Sequence, residues 1–185
     1  ISRGEIFGLA GESGSGKTTV ALSIMKMLPH NARILSGRII LDGIDVIPLG
    51  EEEMREIRWK KVSMVFQGAM NALNPVLRVG DQIAEVLAGK EGWTKERALE
   101  RARELFELVG IDPDRIKDYP HEFSGGMRQR ALIAMALTLN PPLIIADEPV
   151  TALDVVVHDP RAPQGAQGES WDLNTSDNPR PLGYS

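Results

Sequence analysis

An α/β fold with a mostly parallel sheet, a small β region and an inserted helical subdomain follows from three features of the chain. A short apolar run, Ile6-Phe7-Gly8-Leu9-Ala10, leads into a glycine-rich loop and then a helical stretch. A second apolar run, Leu143-Ile144-Ile145-Ala146, stops at two acids, Asp147 and Glu148. Between them, Asp81 to Leu137 is mainly of helical period. A strand, a glycine loop and a helix in that order open an α/β unit.

In chain order, Ile6 to Ala10 is the first expected strand, and Thr18 to Leu28 reads as a helix ended near Pro29. Arg38 to Leu41 is a strand closed by the turn Asp42-Gly43. Val62 to Phe66 is a β-rich run that ends at Gln67. Ala98, Ala102, Leu105 and Val109 then recur at helical spacing, with Thr94 placed to cap the start and Gly110 the end. Gly126 to Leu139 is a second helical stretch, and Leu143 to Ala146 reads as a buried strand. After Val157 the character changes. Prolines stand at 160, 163, 179 and 181, aliphatics are few, and no period of 2 or 3.6 is visible. Such a segment cannot bury enough apolar surface to offset its ordering entropy, so 158–185 reads as a disordered tail. The division is a partial domain over 1–157, with a helical subdomain at about 81–137, and that tail.

At 185 residues and 42% apolar composition, the chain can build one domain with a sizeable core. Lys and Arg number 21 against 26 Asp and Glu, a net charge of -5, which argues against a protein that neutralises nucleic-acid phosphates. The absence of cysteine removes disulfides, thiolate zinc sites and a cysteine nucleophile. Apolar stretches such as Ala131 to Leu137 fall far short of the roughly 20 residues of a spanning helix, and no signal peptide opens the sequence. A link to a membrane must come through a partner. The first residue is Ile1, and the sequence reads as starting inside a domain.

Gly11-Glu12-Ser13-Gly14-Ser15-Gly16-Lys17-Thr18 fits the phosphate-binding pattern G-x-x-x-x-G-K-[ST] in full. Its glycines let several N–H groups converge, and the helix that follows adds its positive end. Lys17 supplies a mobile charge for the β- and γ-phosphates. The Thr18 hydroxyl is placed to ligate Mg²⁺, and Thr19 follows it in the cradle. The pattern arises by chance in on the order of one chain in a hundred of this length, before the flanking strand and helix are counted. ATP or GTP is the expected ligand. Asp147 is suited to holding Mg²⁺, and Glu148 to polarising the attacking water as a general base. Alone, such an acidic pair would be a solvated strand end; with the upstream loop, the functional reading prevails.

Phe123-Ser124-Gly125-Gly126-Met127-Arg128-Gln129-Arg130 resembles the signature of the ABC ATPases. The resemblance implies a P-loop NTPase core in which Ser124, Gly125, Gly126 and Gln129 meet the γ-phosphate held by an opposite subunit. A hydroxyl, two exposed amides and a helix N-terminus suit an anion, whereas the bland alternative is a flexible turn. Gln67 resembles the family's Q-loop glutamine, which touches Mg²⁺ and the attacking water. Ala152-Leu153-Asp154 resembles the D-loop at the dimer interface. The likeness spans about Gly4 to Val157. Asn71-Ala72-Leu73-Asn74-Pro75-Val76-Leu77 and Tyr119-Pro120-His121-Glu122-Phe123 are similar to the oligopeptide, dipeptide and nickel importers. That subfamily implies ATP and Mg²⁺ as cofactors and a second ATPase subunit as partner. It also implies two transmembrane permease subunits, an external solute-binding protein acting indirectly, and a place at the cytoplasmic face of the membrane.

The sequence departs from the family in three places. It begins after the aromatic residue that stacks on adenine, a contact worth ~1–3 kcal/mol. None of His30, His121 and His158 is spaced as the switch histidine, and the importers' C-terminal region is missing. A truncated product that binds nucleotide weakly, or folds poorly, is therefore a second reading. A DNA-maintenance ABC ATPase is a third, disfavoured by the acidic charge and the lack of zinc cysteines or long heptads. The tail fits a frameshift near His158. Asp177-Asn178-Pro179-Arg180-Pro181 can be written GAT AAC CCA CGA CCT, which one base later encodes Ile-Thr-His-Asp-Leu, the family's histidine strand. The same shift can turn Pro160 to Gly168 into an amphipathic helix. Sequencing the coding DNA over codons 150 to 185 checks this hypothesis: the shifted frame is expected to run open through that helix and strand, and stop codons there would end it.

Overall fold

Gly16, with φ at 96°, turns the chain out of the glycine loop and into helix α1, Lys17–Ile24, a conformation that a side chain would strain. The computed structural model describes residues 1–66 and 72–148. α1 stops short of the Leu28 that the apolar pattern suggests, because the chain reverses at Lys26 (φ 50°). The Lys26 ammonium donates to the carbonyls of Ile47, at 2.9 Å, and Leu49. Arg58 closes the helix end from outside: its Nε donates to Met25 O at 3.0 Å and its Nη2 to Lys26 O at 3.1 Å. The other edge of that guanidinium meets Glu51 at 2.5 Å and holds the Glu51 carboxyl below its ordinary pKa.

The small β region is a hairpin of β1, Ile40–Leu41, and β2, Ile44–Asp45. Asp42 and Gly43 both have positive φ, 48° and 84°, the two-residue turn whose twist matches antiparallel strands. Lys61 reaches back to Asp42 at 2.5 Å, and chiefly this hydrogen bond lowers the Asp42 pKa. Helix α2, Glu51–Ile57, has no counterpart in the expected elements. Only Met54 and Ile57 of its seven residues are buried, too few for a periodic signal. Its three first-turn glutamates suit the helix dipole, and Glu53 accepts the Gly50 N–H at 2.7 Å. Met54 and Ile57 pack with Met25, Leu41, Val46 and Val62 in one core.

Strand β3, Val62–Val65, pairs in parallel with β4, Leu143–Ala146, in the register Val62↔Leu143 to Val65↔Ala146. The chain between them supplies the helical arm: α3, Val79–Glu91, and α4, Lys95–Leu108, broken at Gly92 (φ 64°), then α5, Gly125–Ala136. The Thr94 cap forms, its hydroxyl accepting from the Arg97 amide at 3.4 Å. Ala98, Ala102, Leu105 and Val109 are all buried, as their spacing requires. Ala102, Leu105 and Val109 share a core with Ile83, Phe106, Ile116, Phe123 and Ala134, and Ala98 packs with Ala84 and Leu87.

Two expectations are corrected. Ile6 to Ala10 forms no strand, and Ile6, Phe7 and Leu9 are 93%, 60% and 52% exposed. β4 is a strand but not a buried one: Ile144 is 40% exposed. The cause is shared. A parallel strand is buried by neighbours on both sides, and among the described residues β4 pairs only with β3 while Ile6 to Ala10 pairs with nothing. The expected tail over 158–185 lies outside the described residues.

The arm's packing gives a prediction. A Cβ on Gly80 of α3 would stand 2.6 Å from the Ile116 carbonyl oxygen, so helix and chain touch there through bare backbone. Gly80→Ala is expected to lower stability by about 1–3 kcal/mol despite alanine's better helix propensity, measured by urea denaturation.

Candidate functional site

The glycine loop is built by its backbone. Gly14 and Gly16 have φ of 78° and 96°, and a Cβ on Gly11 would lie 2.7 Å from the Ser15 hydroxyl. Those requirements explain glycine at three of the loop's six positions. Ser13 and Ser15 stand exposed between them, and the Ser15 amide donates to Glu12 O at 3.1 Å, which curls the loop. Lys17, half-buried at the head of α1, turns back across the loop. Its Nζ donates to Gly11 O at 2.6 Å and to Glu12 O at 2.8 Å. The ammonium is therefore stationed inside the curl, on two neutral acceptors that a phosphate can replace.

Thr18 and Asp147 meet although 129 residues separate them: the Thr18 hydroxyl donates to Asp147 Oδ1 at 3.2 Å. Asp147 is buried, and its own amide donates to Val65 O at 3.0 Å, so the β3–β4 pairing fixes where its carboxylate stands. Glu148 follows it with φ at 45°, a left-handed turn that takes its side chain out to the exposed surface. Thr19 is exposed on the first turn of α1. A hydroxyl and a carboxylate side by side, next to the glycine loop, match the hard-oxygen set that magnesium prefers.

The signature residues lie at the head of α5. Ser124 is its N-cap, accepting from the Met127 amide at 3.3 Å, with Gly125 and Gly126 as the first helical residues. Gln129 is buried on the helix, unlike the exposed Ser124. Among the described residues no hydrogen bond or ion pair joins Ser124, Gly125 or Gly126 to the glycine loop. The structure thus brings Gly11 to Thr18 together with Asp147 and leaves the signature on the arm. Gln67 and Asp154 lie outside the described residues. Residues that the sequence reading passed over are the cationic braces Lys26, Arg58 and Arg115, which donate to backbone carbonyls, as does Arg130 of the signature. No spacing rule announces an arginine aimed at a carbonyl far along the chain.

Residues 1–151 match the family model described as ABC transporter. The chain belongs to the ABC transporter family. It is 51% identical over 160 residues to the oligopeptide transport ATP-binding protein OppD of Bacillus subtilis (strain 168), covering 85% of this chain and 45% of that relative. It is 49% identical to the dipeptide transport ATP-binding protein DppD of the same organism, covering 85% and 48%. It thus spans about half the length of the curated relatives it matches. Among solved structures it resembles the ATP-binding cassette MJ0796 in a dimeric post-hydrolysis state bound to ADP and Pi. The TM-score is 0.66 at 33% identity, over 77% of this chain and 60% of that one. An ABC fold accounts for the parallel β3–β4 pair and for a glycine loop at the head of a helix. No helix among the described residues is long and apolar enough to cross a membrane.

Proposed function

We propose that the loop Gly11 to Thr18 binds MgATP and that this chain is part of an importer's ATP-binding subunit, coupling ATP hydrolysis to uptake of peptides or a related solute. The observation that carries the reading is the Thr18–Asp147 contact at 3.2 Å, which joins two of the three proposed metal ligands beside the glycine loop. Thr18 and Asp147, with Gln67, would hold Mg²⁺, which would supply positive charge to offset that of the phosphates. Loop amides orient the triphosphate, and Lys17 exchanges its two carbonyls for phosphate oxygens. Glu148 polarises the attacking water. Ser124, Gly125, Gly126 and Gln129 serve the γ-phosphate of an opposite subunit, with Asp154 at the interface between the two. The likeness to the oligopeptide and dipeptide transport ATP-binding proteins supports peptides as solute. Two permease subunits as partners, an external binding protein acting indirectly, and a peripheral place at the cytoplasmic membrane face complete the proposed reading. The helical arm at about 81–137 is proposed as a subdomain of the ATPase core.

The exposure of Ile6, Phe7 and Leu9 favours one alternative: a product that folds poorly, holds nucleotide weakly and drives no transport. ATP turnover by the purified chain decides between them, a normal family rate excluding the alternative. The binding reading has its own check. Lys17→Ala is expected to weaken MgATP at least tenfold, about 1.4 kcal/mol, by calorimetric titration of a folded sample. Asp147→Asn is expected to weaken MgATP more than metal-free ATP, measured with and without EDTA. Unchanged affinity in both variants would discard the site.

A further inference from the structure

We propose that Arg115 is a positioning residue for the head of α5, holding Ser124, Gly125 and Gly126 at the angle from which they meet a phosphate; the inference rests on the role proposed above for those three residues. A helix N-terminus attracts an anion only as well as its first amides are aimed. Within α5 the aim is weakly fixed, since the capping bond from the Met127 amide to the Ser124 hydroxyl is 3.3 Å long and the first two helical residues are glycines. The fastening comes from residues just before the cap. Phe123 is buried, its ring edge-on to Phe106 of α4 at 6.0 Å.

The Arg115 guanidinium lies over the Phe123 ring, 5.4 Å from its centre. Its Nε donates to Asp118 at 2.8 Å and its Nη2 to the Glu122 carbonyl at 3.1 Å. One rigid fork therefore holds the two residues that precede Ser124. On the far side of the cap, Arg130 Nη1 donates to Gly110 O at 2.6 Å and ties α5 to the end of α4. Arg115–Asp118 taken alone is a three-residue ion pair on a short turn, of little energetic consequence. The carbonyl bond and the ring contact are what a plain surface pair does not need. They are also what a lysine cannot reproduce, having a point charge in place of a planar fork. The first turn of α5 carries no acid, so its positive end is not neutralised from within.

The test uses the full chain, with Arg115→Met to remove the donors and keep the stem, Arg115→Lys to keep the charge, and two reference variants, Lys17→Ala and Gly125→Asp. Arg115→Met is expected to speed amide exchange at Gly125 to Met127 about tenfold, the loss of one charge-assisted bond. Its affinity for a fluorescent MgATP analogue at its own glycine loop is expected to stay within about twofold, since no hydrogen bond or ion pair among the described residues joins Arg115 to that loop. MgATP-driven association, followed by sedimentation velocity, is expected to be lost in Arg115→Met and weakened in Arg115→Lys. Mixing Arg115→Met with Lys17→Ala is expected to restore association, because one composite site then has an intact loop and an intact α5. A merely structural arginine would cost nucleotide affinity as well and would gain nothing from mixing. Either that result, or undiminished association in both Arg115 variants, overturns the proposal. Association that is absent in the wild type, or untouched by Gly125→Asp, overturns instead the role of α5 on which it rests.

Discussion

The structure turns on a hydroxyl and a carboxylate that meet across most of the chain. Thr18 stands at the head of α1 and Asp147 at the end of β4, and the 3.2 Å contact between them joins two elements that share no strand ladder. Its geometry is set one layer down. The parallel register of β3 and β4 runs out at Val65↔Ala146, and one further bond, from the Asp147 amide to Val65 O, fixes the carboxylate. Slipping that pairing by one residue would turn Asp147 to the other face of the sheet and separate it from the loop. Four ladder pairs therefore govern the site more directly than any residue inside the loop.

What the sequence disclosed was local chemistry. The glycine loop, the Asp42-Gly43 turn, the Thr94 cap and the stripe Ala98, Ala102, Leu105, Val109 each depend on residues within a turn or two of one another, and each forms. The failures are of another kind. Ile6 to Ala10 has the composition of a strand, but a strand is a relation to a neighbour, and composition does not supply one. β4 was legible as a strand for the same reason that its burial was not: apolar continuity tells what a segment can bury, and only its neighbours determine what it does bury. α2 escaped notice because two buried residues make no period. Of the site, the loop and the two acids were readable, whereas their contact came only from the fold.

The arginines show a further limit of sequence reading. Arg58, Arg115 and Arg130 each donate to a backbone carbonyl at the end of a helix or turn: Met25 and Lys26, Glu122, and Gly110. Helix C-termini leave carbonyls without partners, and a planar guanidinium can serve two acceptors at once. Charge patterning alone counts these residues as solvated surface, since an acid stands near two of them. Their acceptors carry no side-chain signal at all.

Lys17 uses the same interaction to the opposite end. Like Arg58 it donates to two carbonyls, of Gly11 and Glu12, but those acceptors sit on an exposed loop where water can replace the ammonium at small cost. The Arg58 side chain, 16% exposed, has no such replacement to hand. An ammonium is also a compact donor on a flexible stem, free to turn without breaking a fork. Neutral carbonyls hold it less firmly than a charged phosphate oxygen would, because charge on the acceptor roughly doubles the strength of such a bond. The cation chosen for the loop is thus the one that can leave its place. Those chosen for the helix ends stay, and the difference follows from side-chain shape and exposure before any ligand is considered.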